Sequence, residues 1–239
     1  MRIDKLLTVT GLSSRKDTAR LIRAGKVLVN GQVVSSPAVH IDPERDEVVF
    51  CGETVTYRKH TYIMLNKPEG VVSATEDGRG EITVVDLLPE RLQKIGLFPC
   101  GRLDKNTLGL VILTDNGPLA HAMLSPRHHV SKRYAYRSKF PITEEEKTIL
   151  EQGCTLEDGY VTKPAIIALS PDRQGGYIIL TEGKYHQIKR MFESVHNKIV
   201  YLERREFGPI ILDETLERGQ WRYFTEEEIE RFENHQKNG

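Results

Sequence analysis

One short apolar run limits what the centre of this chain can fold into. Residues 110–113 are Leu-Val-Ile-Leu, and they lie between Gly109 and the turn-forming residues Asp-Asn-Gly at 115–117. An apolar run of this length between turn signals is typical of a buried β-strand. The sequence therefore predicts a strand over residues 108–114, preceded by a loop that begins at Gly101.

The predicted loop carries a single carboxylate, Asp104, between Leu103 and Lys105. Aspartate often closes a turn by accepting a hydrogen bond from the backbone two residues further on, which is a purely structural role. A carboxylate in a loop held by apolar strands can equally be a reactive group. The residue alone leaves both interpretations open.

The first 60 residues predict a small domain with a basic face. Gly11 separates a helix near residues 2–9 from a second helix that starts after Ser13 or Ser14 and ends before Gly25. Asn30-Gly31 divides two β-rich runs and predicts a tight hairpin, which strands near 46–50 and 54–57 would complete. Four basic residues lie along the second helix: Arg15, Lys16, Arg20 and Arg23.

The distribution of charge matters more than its total. The net charge is zero, which by itself disfavours a nucleic-acid binder, but residues 1–26 contain seven Lys or Arg and two Asp. Residues 127–139 contain five Lys or Arg and no acid, whereas acids are concentrated at 144–146 and 226–228. Segregated charge of this kind suits a surface that follows phosphates, although each cluster alone is also compatible with a solvated face.

Composition narrows the class of protein. With 38% apolar and 28% charged residues, the chain resembles an ordinary globular protein, and it has no run long enough to span a membrane. The N-terminus lacks the features of a signal peptide, so we expect a cytoplasmic protein that does not associate with membranes. Its three cysteines have no CxxC spacing, which predicts buried free thiols rather than a zinc site or disulfides.

Beyond residue 60 the pattern predicts a larger unit of mixed helices and strands. Predicted strands cover residues 62–66, 131–139, 165–169, 177–181 and 199–207, with Gly175-Gly176 as a turn. Predicted helices cover residues 83–88, 118–124, 143–152, 182–195 and 225–233, the last of them as a solvated cap. In residues 182–195 the helical spacing of Tyr185, Ile188, Phe192 and Val195 predicts a face directed at a core.

Four short motifs then occur in order. They are KPEG at 67–70, GRLD at 101–104, KRY at 132–134 and GKYHQIKRM at 183–191. Together they resemble the active-site motifs of the RNA pseudouridine synthases that modify ribosomal RNA. The N-terminal pattern MRIDKLL…SRKDTARLIRAGKVLVNGQVV resembles the S4 RNA-binding domain over its whole length.

This resemblance implies an α+β protein. It predicts an S4 domain at residues 1–59, followed at 60–239 by a catalytic domain with a mainly antiparallel mixed sheet. The implied reaction is the isomerisation of uridine to pseudouridine, which needs no cofactor and no metal. Three stretches, SPRHH at 125–129, TKPA at 162–165 and GKYHQIKRMF, are similar to the small-subunit branch. They imply a single uridine in 16S ribosomal RNA, of the uridine-516 type, as the target.

The resemblance also implies roles for individual residues. Asp104 is the expected nucleophile, Tyr134 packs against the target base, and Lys189 pairs with the carboxylate, a position where many relatives have Arg. Without the resemblance, Tyr134 would be interpreted as a packed edge residue. The residues expected to contact RNA are Arg102, Lys67, Arg15, Lys16, Arg20, Arg23, Arg127, His128, Lys132, Arg133 and Arg190. The expected partner is ribosomal RNA or a small-subunit assembly intermediate, bound by a monomer.

Other interpretations carry specific expectations. His128-His129 has no carboxylate or cysteine at ligand spacing, so we expect these residues to contact RNA or cap the preceding helix rather than bind a metal. Asp104 has no second carboxylate beside it, which argues against a glycoside hydrolase. The alternatives are an enzyme that modifies 23S RNA and a catalytically silent S4-type RNA-binding or ribosome-assembly factor, in which Asp104 only forms a turn.

Overall fold

The structure is a computed structural model that describes residues 1–235 of the 239-residue chain. Its internal contacts divide the chain into two compact units. The first unit consists of Met1–Thr61 together with Leu88–Leu97, and the second consists of Tyr62–Leu87 and the chain from Phe98 onward. The boundary predicted between residues 59 and 60 places Leu88–Leu97 in the catalytic domain, whereas in the structure this segment belongs to the first unit. Residues 236–239, the end of the predicted catalytic domain, lie outside the described residues.

The first unit contains the predicted pair of helices and the predicted hairpin. Helices α1 (Ile3–Val9) and α2 (Arg15–Arg23) precede a four-stranded antiparallel sheet in the order β2-β1-β3-β4. The strands are β1 (Val27–Val29), β2 (Gln32–Val33), β3 (Val48–Phe50) and β4 (Glu53–Thr54). The Ser14 side chain caps α2 by accepting a hydrogen bond from the amide of Asp17. Asn30 and Gly31 both adopt left-handed φ values, 51° and 76°, as a tight hairpin turn requires.

The apolar side of these elements forms the core of the first unit. Ile22 from α2 packs with apolar residues of α1, the sheet and the connecting loops: Ile3, Leu6, Leu7, Val27, Val34, Ile41, Val48 and Phe50. All four basic residues predicted to lie on α2 are exposed on its other side. The helix therefore presents a cationic surface while its apolar side holds the domain together.

The predicted helix over residues 83–88 is wrong. Thr83 and Asp86 instead close a turn, in which the Asp86 carboxylate accepts hydrogen bonds from the amide and the hydroxyl of Thr83 at 2.8 and 2.9 Å. Pro89, expected to end a helix, directly precedes the short helix α3 (Glu90–Gln93). Proline suits that position because the first residues of a helix have no intrahelical partner for an N–H.

The second unit is built on one mixed sheet. Within residues 1–235 it has nine strands, with the main order β13-β5-β7-β11-β8-β10-β9, while β6 pairs with β7 and β12 with β11. The strands are β5 (Tyr62–Lys67), β6 (Phe98–Pro99), β7 (Leu108–Thr114), β8 (Lys132–Ser138), β9 (Ile166–Leu169), β10 (Gly175–Leu180), β11 (Ile199–Phe207), β12 (Ile210–Ile211) and β13 (Trp221–Tyr223). β7 and β11 are parallel, and the other described pairs are antiparallel. The predicted α+β class and mainly antiparallel sheet are confirmed.

The parallel pair depends on a glycine. Gly109 of β7 lies directly beside Arg204 of β11. A Cβ atom at Gly109 would lie 2.3 Å from the carbonyl oxygen of Arg204 and 2.9 Å from its backbone nitrogen. Since such distances are too short for any side chain, only glycine allows β11 to pair here.

Two boundaries differ from the predicted ones. Gly175-Gly176 was predicted to be a turn, but both residues belong to β10, and the turn precedes them, with Arg173 at φ 59°. Gly176 permits close pairing, because a Cβ there would lie 1.9 Å from the Ala168 carbonyl oxygen of β9. The helix predicted at 182–195 begins only at Gln187, because His186 has a left-handed φ of 50°. Tyr185 therefore lies outside the helix and is exposed rather than in a core.

Four further helices accompany the sheet: α4 (Gly117–Leu124), α5 (Glu144–Gln152), α6 (Gln187–Ser194) and α7 (Glu226–His235). Thr143 and Glu146 form a reciprocal capping box at the start of α5, close to the predicted boundary. No helix within residues 1–235 has the length and apolar character needed to cross a membrane. Cys100 and Cys154 are buried free thiols as predicted, whereas Cys51 is exposed, which corrects the prediction for that residue.

Helix α7 is part of the core and not the predicted solvated cap. Phe232 is fully buried, and its ring packs 5.9 Å from Tyr62 and 5.8 Å from Phe224. The Tyr62 hydroxyl also donates a hydrogen bond to Glu233 at 2.8 Å. Glu226, Glu227 and Glu230 of α7 are exposed, whereas Glu228 is largely buried and pairs with Arg222 at 2.7 Å, and the apolar side of the helix covers one end of β5.

We expect Phe232→Ala to lower the free energy of unfolding by about 3 kcal/mol, because it leaves a cavity among aromatic rings. Urea denaturation followed by far-UV circular dichroism measures this change. Glu230→Ala on the exposed side of the same helix is the control, with an expected change below about 0.5 kcal/mol. Equal effects of the two substitutions would contradict the core position of α7.

Candidate active site

Asp104 lies in the loop between β6 and β7, and the backbone closes that loop. The Asp104 carbonyl accepts a hydrogen bond from the amide of Thr107 at 2.9 Å, and the Ser73 hydroxyl accepts one from the amide of Leu103 at 3.1 Å. The turn is therefore made without the Asp104 side chain. Its carboxylate is directed instead at two side chains of the segment that begins α6.

Those side chains are Lys189 and His186. The Lys189 ammonium donates to Asp104 Oδ2 at 2.8 Å, and His186 Nε2 lies 3.6 Å from Oδ1. The pairing of Lys189 with Asp104 expected from the sequence is present in the structure. His186 was not singled out from the sequence, although it stands three residues before Lys189 in the same motif.

Lys67 holds the loop that carries Asp104 in place through hydrogen bonds. It ends β5, and its ammonium donates to the carbonyls of Pro68 and Lys105 at 3.0 Å each and of Thr107 at 2.8 Å. The side chain has no solvent exposure, and its burial lowers its pKa to about 8. The prediction that Lys67 contacts RNA is wrong, since all three donors are used inside the protein. Its position instead ties the KPEG turn to the loop that carries Asp104.

A buried carboxylate orients the segment before α6. Glu182 accepts hydrogen bonds from Gln187 Nε2 at 2.6 Å, from the Lys163 amide at 2.9 Å and from the Tyr160 hydroxyl at 2.7 Å. The Gln187 side chain in turn accepts a hydrogen bond from the amide of Lys184 at 2.8 Å. Neither Glu182 nor Gln187 was expected at the site from the sequence. Their network fixes the start of α6 and so the position of Lys189.

A cavity of about 170 Å³ opens beside Asp104. It is smaller than the roughly 300–1,000 Å³ of pockets for drug-sized ligands, so its size suits one nucleobase. Tyr134 of β8 forms part of the wall, with 9% of its surface exposed, and Tyr136 lies two residues further on the same face against Phe192 of α6. Tyr134 and Tyr136 therefore share one face of β8, as the alternation in the sequence predicted.

Comparison with known families identifies the chain. The model of the RNA pseudouridylate synthase family matches residues 61–194. The chain belongs to the RNA pseudouridylate synthase family. The model of the S4 domain matches residues 1–48.

Relatives of this pseudouridine synthase resemble it over nearly its whole length. An uncharacterized RNA pseudouridine synthase of Bacillus subtilis (strain 168) is 45% identical, with coverage of 96% of this chain and 97% of that protein. The ribosomal small subunit pseudouridine synthase A of Escherichia coli (strain K12) is 38% identical, with coverage of 96% and 98%. The comparison with the crystal structure of a pseudouridylate synthase gives a TM-score of 0.68 at 36% identity. The match covers 97% of this chain and 99% of the chain in that structure.

The cavity of the synthase contains several of the residues expected at the site. Besides Asp104, Tyr134 and Lys189, it is lined by Arg102, which is exposed, and by Lys132, which is partly buried. In the second unit, the structure thus brings together all three predicted catalytic residues and two of the predicted RNA contacts.

The other predicted RNA contacts of this unit do not line the cavity. Arg133 points to the opposite face of the sheet from Tyr134, where it pairs with Glu206 at 2.7 Å and lies 3.9 Å above the Tyr177 ring. Arg190 pairs with Asp158 at 2.6 Å. Arg127 is exposed.

His128 and His129 each have a partner within the protein. His128 Nδ1 lies 2.9 Å from the Ala122 carbonyl, so His128 caps α4, one of the two roles expected from the sequence. His129 Nδ1 lies 3.1 Å from the Lys163 ammonium. Within residues 1–235, no group of three or more His, Cys, Asp or Glu side chains is arranged to hold a metal ion.

Proposed function

We propose that this pseudouridine synthase converts a single uridine of 16S ribosomal RNA to pseudouridine, with Asp104 as the nucleophile. The observation that carries the proposal is the Asp104 carboxylate, held 2.8 Å from the Lys189 ammonium at a cavity of nucleobase size. Pseudouridine formation breaks the bond between uracil N1 and the ribose and joins uracil C5 to the same sugar carbon. This chemistry needs one reactive carboxylate and a pocket that holds the detached base.

Three side chains around the cavity have a place in that reaction. Lys189 keeps the Asp104 carboxylate oriented toward the cavity through a charge-assisted hydrogen bond. The ring of Tyr134 forms a wall against which uracil stays in place while it turns. The exposed Arg102 at the cavity suits the extrusion of the nucleotide, since the reacting atoms are inaccessible in stacked RNA.

One observation supports ribosomal RNA of the small subunit as the substrate, and a second supports RNA binding in general. The Escherichia coli relative, 38% identical over nearly the whole chain, is named for the small ribosomal subunit. The match to the S4 domain at residues 1–48 includes the exposed basic side of α2, which suits phosphate binding. We propose that the chain acts in the cytoplasm as a monomer, on 16S RNA or on a small-subunit assembly intermediate.

Mass-spectrometric mapping of pseudouridine in unmodified 16S and 23S transcripts tests the proposal. Each RNA is incubated with the wild-type protein, and 16S RNA is also tested as an assembled particle. We expect one new pseudouridine in 16S RNA. Modification confined to 23S RNA would overturn the substrate, and retained RNA binding without any modification would favour a catalytically silent binding factor.

The basic side of α2 gives a separate prediction. Replacing Arg15, Lys16 and Arg23 by glutamine should weaken RNA binding and reduce the salt dependence of the binding constant, because each lost phosphate contact changes the slope by about 0.7 to 0.9. Fluorescence anisotropy at several salt concentrations measures the slope. Arg45→Gln, an exposed arginine of the same unit, is the control and should leave the slope unchanged. A triple variant with an unchanged slope would contradict phosphate binding by α2.

A further inference from the structure

A buried arginine at the cavity lacks the partners that such a group normally has. Arg204 of β11 is 1% exposed and lines the same cavity as Asp104. Its Nε donates to the Leu110 carbonyl at 2.8 Å, while one of its terminal nitrogens, the buried Nη2, has no hydrogen-bond partner. Among residues 1–235, no carboxylate forms an ion pair with this guanidinium.

A second cation lies next to it. Lys132 of β8 faces the same cavity, and its ammonium donates to the Val130 carbonyl at 3.1 Å. Both cations lie over the ring of Phe207, Lys132 at 5.4 Å and Arg204 at 5.2 Å from its centre. Burial lowers the pKa of Lys132 to about 8, and the charge of Arg204 contributes to that shift. Lys132 also forms no ion pair within the described part of the chain.

Two neighbouring cations without a carboxylate at ion-pair distance are costly to bury. Glu182 also lines the cavity and its charge acts on Lys132, but this carboxylate is already engaged by three hydrogen bonds from other groups. A charged group taken out of water loses several kcal/mol unless it is paired, and two like charges also repel each other. Lys189, by contrast, is neutralised by Asp104. A structural role for Arg204 would need only the one hydrogen bond to Leu110, which a neutral donor could make. The unsatisfied Nη2 atom at a substrate cavity indicates that the missing negative charge comes from the substrate.

We propose that Arg204 and Lys132 are catalytic residues that stabilise negative charge on the uracil while it is detached from the ribose. This inference rests on the proposed function. When the bond between N1 and the sugar carbon breaks, its electron pair stays on the base, and the uracil anion shares the charge with its O2 and O4 atoms. Asp104, as the nucleophile, takes the place of the base on the sugar carbon. The anion then forms the new bond from C5 to that carbon with the same electron pair, and the bond to Asp104 breaks, which restores the carboxylate. The proton on C5 is finally lost and N1 gains one, so atoms and charge balance without a further reactant.

The same chemistry explains why these cations differ from Lys189. Lys189 acts on the nucleophile, whereas Arg204 and Lys132 act on the leaving group and are needed only while that group is charged. Interactions that exist in the transition state and not in the bound substrate raise the rate rather than the affinity. Replacement of Arg204 or Lys132 should therefore lower the rate of the chemical step and not the affinity for RNA.

Single-turnover rates of Lys132→Met, Arg204→Met and Arg204→Lys test the proposal on the RNA that the wild-type protein modifies. We expect a loss of about 10²-fold for each Met variant, with RNA affinity changed by less than about threefold. Arg204→Lys should be faster than Arg204→Met because it restores a cation. Arg205→Met is the matched control, since Arg205 pairs with Glu203 and Glu214. It should retain the wild-type rate.

A modified substrate separates leaving-group stabilisation from a structural role. In RNA with 5-fluorouridine at the target position, the electron-withdrawing fluorine stabilises the detached anion. The loss caused by Lys132→Met in the consumption of this nucleotide should then be smaller than with uridine. Folded Met variants with wild-type rates, or equal losses on both substrates, would overturn the proposal. The rates are measured on whichever RNA the wild-type protein modifies. The result therefore does not depend on whether the proposed 16S target is correct.

Discussion

Replacing Asp104 by asparagine is expected to lower the rate of pseudouridine formation by at least about 10⁴-fold, as the loss of a nucleophile does in other enzymes. The amide has nearly the size of the carboxylate and keeps an oxygen that can accept the hydrogen bond from Lys189, which lies at 2.8 Å in the structure. It carries no negative charge and cannot attack the ribose or the base. Single-turnover assays with quantification of pseudouridine by mass spectrometry measure the loss.

The controls for this substitution follow from its place in the fold. Because the backbone closes the loop at Asp104, Asp104→Asn should unfold at the wild-type temperature and bind RNA with wild-type affinity. Asp115→Asn, an exposed aspartate at the other end of β7, should keep full activity. Residual activity of Asp104→Asn above about 1% of wild type, in protein whose mass shows that the new amide has not deamidated, would mean that the nucleophile is another group.

Lys67→Met is expected to lower the free energy of unfolding by about 3 kcal/mol, because Lys67 is fully buried and its hydrogen bonds to three carbonyls are lost. Methionine has a similar length but leaves the carbonyls of Pro68, Lys105 and Thr107 without their donor. These carbonyls belong to the two loops that hold Asp104, so activity should fall as well. Denaturant unfolding measures the stability, and Lys105→Met on the same loop is the exposed control.

The pH dependence of this difference gives a second check on Lys67. Burial lowers the pKa of Lys67 from 10.5 to about 8, so between these values the unfolded chain binds a proton that the folded protein has lost. Stability contributed by Lys67 therefore rises with pH across this range and is constant below it. The difference in unfolding free energy between wild type and Lys67→Met should increase from pH 8 toward 10.5. A decrease would show that the ammonium is not disfavoured by burial.

Much of the fold follows from short-range signals in the sequence. The Ser14 cap, the Asn30-Gly31 turn and the apolar run of β7 each specify a local conformation through neighbouring residues, and each is found in the structure. The errors concern contacts between distant segments. Nothing in the local pattern shows that Gly176 must pass close to Ala168, or that the acidic helix α7 inserts Phe232 into the core.

The candidate site shows the same contrast between local signals and contacts of distant segments. Asp104 and Lys189 are 85 positions apart, and their pairing was expected only because motifs resembled those of a family. Lys67 was misassigned because lysine is normally a surface residue, and its burial depends on the pairing of β5 with β7. Arg204 was missed for a related reason. An arginine in a strand gives no local sign that its guanidinium will be buried without a carboxylate.

The parallel contact between β7 and β11 has a mechanical consequence. In the described sheet it is the seam between two halves, β13-β5-β7 on one side and β11-β8-β10-β9 on the other. Asp104 is carried by the first half, whereas Tyr134 and Lys189 are carried by the second. Any widening of the seam would draw the carboxylate away from its ammonium partner and from the wall of the cavity. The close approach of the two backbones at Gly109 holds β7 and β11 together. The catalytic site therefore depends on the pairing of these two strands.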